Sequence, residues 1–147
     1  MKKLLVLAVA LFAAACGTVQ TTTPSRNVPP GIASSPLELG NWQSASVGQT
    51  LTQFSQNVAR RYQPGLPLSA VSGDLRRQEF TCANNTDSVR GDPPDAICRK
   101  TETVNGCTHT WQVHVFDENN NAILLRTRGL YDRRCGNDGL LGGPGGR

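Results

Sequence analysis

Residues that usually announce chemistry are scarce in this 147-residue chain: two histidines, one methionine and 5% aromatics. His109 and His114 are five positions apart, so on one strand they point to opposite faces and cannot form a dyad or share a metal. No serine sits in a Gly-x-Ser-x-Gly elbow, and no glycine-rich loop joins a strand to a helix. The positioned groups that catalysis needs are missing, so no catalytic residue, metal ligand or cofactor is assigned and the chain reads as a non-enzyme. Lysine is also rare, Lys100 being the only one after Lys3. Without Lys2 and Lys3, thirteen basic residues face eleven acidic ones, a net charge of +2. That is too thin for the dense basic surface a nucleic-acid partner requires. No apolar run approaches the ~20 residues that span a bilayer.

What is present begins at the N-terminus. Lys2 and Lys3 precede an apolar run over residues 4–15, the length of a secretory leader. The run ends in Ala13-Ala14-Ala15-Cys16 followed by Gly17, a lipoprotein cleavage box with alanine where leucine is usual. Residues 1–15 are then a signal peptide, and the Cys16 sulfur carries the lipid. The alternative is an ordinary secretory signal in which Cys16 is incidental. Residues 16–38, rich in Thr, Ser and Pro, read as a disordered tether reaching roughly 25 Å. Position 17 is not aspartate, which favours the outer membrane, on its periplasmic side.

Setting Cys16 aside leaves Cys82, Cys98, Cys107 and Cys135. An even set in an exported chain is most simply two disulfides. A four-cysteine zinc site would want Cys-x-x-Cys spacing, which is not there.

Residues 39–136 carry the domain. Val47, Leu51, Phe54, Val58 and Tyr62 form one helical stripe, capped by Ser44 or Ser46 and ended by Gln63-Pro64-Gly65. Leu68, Val71 and Leu75 mark a shorter helix with Pro67 in its first turn, and residues 76–79 read as its solvated end. Residues 83–95 form a polar loop whose Asp87, Asp92 and Asp95 lack the alternation of a calcium-binding loop.

Three strands follow. Residues 97–104 meet 107–116 across Asn105-Gly106, a strong two-residue hairpin signal. The second strand puts Cys107, His109, Trp111, Val113 and Val115 on one face. The third, over residues 122–131, puts Leu124, Arg126, Arg128 and Leu130 on its outward face. Those four, with Arg133 and Arg134, are the candidate partner-binding residues, because apolar side chains rimmed by charge mark contacts. Strand parity sets Cys107 near Cys135 and leaves Cys82 with Cys98, one of three possible connectivities. The fold class is α+β, two N-terminal helices packed on a three-stranded antiparallel sheet with two disulfides. Residues 137–147 are a glycine-rich tail.

Over residues 45–135 this pattern resembles the BamE/SmpA-OmlA type of small outer-membrane lipoprotein. The matching stretches are Pro64-Gly65-Leu66-Pro67-Leu68-Ser69-Ala70-Val71, Leu75 with Phe80-Thr81-Cys82, Trp111 to Asp117, and Ile123-Leu124-Leu125. The four cysteines and the loop between Cys82 and Cys98 depart from the family pattern. The resemblance implies a lipid-anchored envelope protein that works by binding another envelope protein. Domains of this shape also serve as inhibitors or immunity-type binders of exported enzymes, which is the alternative, with the loop around Asp87 to Asp95 in the target's cleft. A small periplasmic enzyme is a third.

Overall fold

The computed structural model describes residues 31–86, 92–117 and 119–136. Cys16, the leader and the tail over 137–147 lie outside the described residues, as does Asp87. Two helices, α1 (Val47–Arg61) and α2 (Leu68–Arg77), precede strands β1 (Thr81–Asn84), β2 (Ala96–Val104), β3 (Cys107–Phe116) and β4 (Arg126–Cys135). The strands form one antiparallel sheet in the order β1-β2-β3-β4.

The sheet has four strands where the sequence predicts three. β1 pairs with β2 from Thr81↔Arg99 to Asn84↔Ala96, and Cys82 lies directly opposite Cys98, to which it is bridged. A four-residue strand with one half-buried position carries almost no alternation to read. The second bridge, Cys107–Cys135, joins residues directly opposite in the β3–β4 ladder. Both pairings agree with the parity expectation.

α1 begins at Ser46, which closes a capping box with Gln49. Its buried stripe of Phe54 and Val58 lies over β4, where Gly129 leaves room for the helix. A Cβ there would stand 2.9 Å from the Ser55 Cα. Val71 and Leu75 of α2, Trp111, Val113 and Val115 of β3, and Cys98 of β2 complete a core confined to one face of the sheet.

The boundary at residue 38 shifts. Ile32 and Leu37, placed in the tether by composition, are 7% and 6% exposed and belong to the core. The helices therefore follow a packed segment, 31–46, and do not begin the folded unit. Polar bonds tie that segment down: Leu37 N–H donates to Gln78 Oε1, the Arg61 guanidinium to the Ser35 carbonyl, and Trp111 Nε1–H to the Leu39 carbonyl at 3.1 Å. Residues 76–79 are not simply a solvated end, since Gln78 also donates to Asp74 at 2.8 Å.

The last strand starts four residues later than its composition suggests. The Asp117 carboxylate accepts the Asn121 and Ala122 N–H groups and turns the chain there. Residues 122–124 then pair with the segment between the helices: Leu68 N–H to the Ala122 carbonyl at 2.9 Å, and reciprocal Gly65–Leu124 and Leu124–Leu66 bonds at 2.8 Å. This detour reverses the expected parity. Leu124 is 1% exposed, whereas Ile123 and Leu125 are 38% and 37% exposed.

Candidate protein-binding face

Among the described residues both helices pack on one side of the sheet, and no helix covers the other. Alternation from the hairpin decides what stands on that open side. β3 contributes Thr108, Thr110, Gln112, His114 and Phe116. Register then sets Arg128 and Ile97 on either side of His114, Leu130 and Arg99 on either side of Gln112, and Arg126 opposite Phe116.

Phe116 is the buried apolar residue of this side. It is 1% exposed although it points away from the helices. The Arg126 guanidinium lies 3.6 Å from its ring centroid and that of Arg128 5.6 Å, so two cations lie against the ring. Arg126 also pairs with Asp92. Arg134 reaches Asp132 at 3.0 Å, both well exposed, an arrangement that contributes little to stability.

His114 is half-buried, with Nε2 3.3 Å from Gln112 Oε1. Burial, then the charges of Arg128 and Arg99, hold its pKa below the ordinary imidazole value. The neutral form is favoured, and the positive charge on this face comes from arginine.

Arg126, Arg128, Leu130 and Arg134 thus share one surface. Leu124 does not: it is core, for the reason given above. Arg133 does not either, because it pairs with His109 and turns to the helix side. Arg99, His114 and Phe116 were missed as members. The register running back from Asn105-Gly106 is the signal that places Arg99 on the face of His114 and Phe116, and the β3–β4 ladder sets Arg126 and Arg128 beside them.

On the helix side, His109 Nδ1 lies 2.7 Å from the Tyr131 hydroxyl and the ring is 5% exposed. Burial and then Arg133 lower its pKa, with Glu102 opposing. This histidine belongs to an aromatic cluster with Trp42, Trp111 and Tyr131. Among the described residues no group of three or more His, Cys, Asp or Glu side chains could hold a metal ion. The same residues include no helix long and apolar enough to cross a membrane.

The open face can therefore offer arginine donors, held in place over a buried ring, and a leucine to an anionic surface. Set against known protein families, curated proteins and solved structures, the chain matches none.

Proposed function

We propose that this is a lipid-anchored cell-envelope protein, attached through Cys16, that acts without catalysis by binding another envelope protein through the open face of β3 and β4. The observation that carries the reading is the arginine set on that face: Arg99, Arg126, Arg128 and Arg134 with Phe116 and Leu130 between them. Arginine and aromatic side chains are enriched where proteins meet, and with Asp92 and Asp132 paired to Arg126 and Arg134 the surface still carries a net positive charge. Two disulfides suit a compartment outside the cytoplasm. The leader and cleavage box, and the resemblance to the BamE/SmpA-OmlA type, favour the outer membrane with the domain on its periplasmic side.

Partner capture after crosslinking in cells tests the reading. Arg126→Glu with Arg128→Glu inverts the charge beside Phe116; it also gives up the Arg126–Asp92 pair and the cover on the ring, so the unfolding midpoint should fall by a modest amount while the domain stays folded and the partner is lost. Capture at the wild-type level by the folded double variant would sink the proposal.

A further inference from the structure

A groove of about 650 Å³ lies on the helix side of the molecule, away from the arginine face. One wall is a polar stripe of α1: Gln53, Gln56, Asn57 and Arg60, spaced three and four apart so that they share one side of the helix. The other wall is the segment 38–42, which brings Glu38, Asn41 and Trp42 to the same space.

That wall is fixed. Gly40, at φ +82°, lets the chain run close to α1, since a Cβ there would stand 3.2 Å from the Thr50 carbonyl oxygen. Asn41 N–H then donates to Gln53 Oε1 at 2.8 Å, and Asn57 Nδ2 donates to the Glu38 carbonyl at 3.0 Å. Trp42 is half-buried and wedged edge-on against Trp111, with ring centroids 5.4 Å apart, and against His109 at 4.7 Å. An indole held in this way has its position set before any ligand arrives.

The chemistry of the lining is selective. One carboxylate and one guanidinium cancel, so neither an anion nor a cation is favoured. Four amides line the groove, of which Gln53 Oε1 accepts from Asn41 N–H and Asn57 is engaged by the Glu38 carbonyl and Arg60; among the described residues nothing pairs with the Gln56 amide, which supplies a donor and an acceptor together, or with the Glu38 carboxylate. A tryptophan beside planar amides suits a ligand with apolar C–H faces and hydroxyl edges. The helix stripe from Gln53 to Arg60 runs about 10 Å, the reach of a short oligosaccharide rather than of one sugar. We infer that this groove binds a neutral oligosaccharide, a ligand class separate from, and independent of, the protein partner proposed for the sheet face.

The test titrates the full chain with cellotriose and with N,N′,N″-triacetylchitotriose, following side-chain amide and indole N–H resonances. With at least one sugar the Trp42 indole and the Gln53 and Gln56 amides should shift saturably, while the buried Trp111 indole moves less. Trp42→Ala should abolish the shifts. Because that change also removes packing against Trp111, the deciding variant is Gln56→Ala, on an exposed helix position, which should weaken binding about three- to tenfold. Absence of a saturable shift with both sugars up to about 10 mM overturns the inference, as does unchanged affinity in Gln56→Ala.

Discussion

Asp74 lies within α2 yet is 2% exposed, and its carboxylate accepts hydrogen bonds from four side chains. Arg61 Nε stands 2.7 Å away, the Tyr62 hydroxyl and Gln78 Nε2 2.8 Å, and Arg77 3.0 Å. Burial alone would raise the Asp74 pKa; the bonds from Arg61 and Tyr62 outweigh it and hold the group below its ordinary 3.8. Burial and the bond to Asp74 push the Tyr62 hydroxyl far upward. Since Arg61 and Gln78 also reach residues 35 and 37, one carboxylate joins the two helices to the segment before them. Replacing Asp74 with Ala leaves the Arg61 guanidinium buried beside the core with no counter-charge. The expected cost is about 3–5 kcal/mol, read as a lowered urea midpoint.

The same residues set the acid response. Asp74 has a folded pKa below its unfolded value, so its contribution is present above pH 3.8 and lost as pH falls through the folded pKa. His109 and His114 are also depressed, but as bases they cost stability when they must charge, so their penalty sets in as pH falls below 6.5. Urea midpoints against pH should therefore fall in two stages. His114→Gln should shrink the first and leave the second, and a curve unchanged by that substitution would contradict the account.

The elements differ in how far they could be read in advance. α1 was legible because Val47, Leu51, Phe54, Val58 and Tyr62 repeat at helical spacing behind a serine cap, all local information. The hairpin was legible because Asn105 and Gly106 both adopt positive φ, at 52° and 75°, which their residue types permit. That turn fixes the β2–β3 register, and with it the pairs Ile97–His114 and Arg99–Gln112 on the open face. β1 was illegible because its partner lies beyond a loop, and the burial of Ile32 and Leu37 because proline and serine around them mimic a linker. Leu124 misled for a related reason: its hydrogen bonds go to residues 65 and 66, and no local pattern reports a pairing over that distance. Asp74 reads as one more solvated helix charge until Arg61 and Tyr62 close over it.

At the crossing of α1 and β4, the missing side chain of Gly129 is the fit itself. Besides the Ser55 backbone, an added Cβ would meet Phe54 Cδ1 and Val58 Cγ2, each at 3.2 Å. Backbone on one side leaves little room to adjust, so Gly129→Ala should cost about 1–3 kcal/mol. The midpoint should fall with the urea m-value unchanged.

For the whole molecule, the two disulfides matter more than in a larger fold, because the helices cover only one face of a single sheet. Sequence separations of 16 and 28 residues make each bridge worth about 3–4 kcal/mol by restriction of the unfolded chain. Paired alanine variants, Cys82→Ala with Cys98→Ala or Cys107→Ala with Cys135→Ala, should each lose an amount of that order in urea unfolding. A negligible loss in both would mean that the core alone holds the sheet.

The placement of those bridges has a mechanical meaning. Cys82–Cys98 joins β1 to β2, the Asn105-Gly106 turn joins β2 to β3, and Cys107–Cys135 joins β3 to β4. A covalent path therefore crosses all four strands through short rungs. Tension applied between the start of β1 and the end of β4 would find only residues 98–107 free to lengthen, about 30 Å of contour instead of about 180 Å for the reduced chain. Load applied between those two points would pass through the rungs without unravelling the sheet, whereas load entering ahead of α1 would first draw out the chain before Cys82, which neither bridge closes.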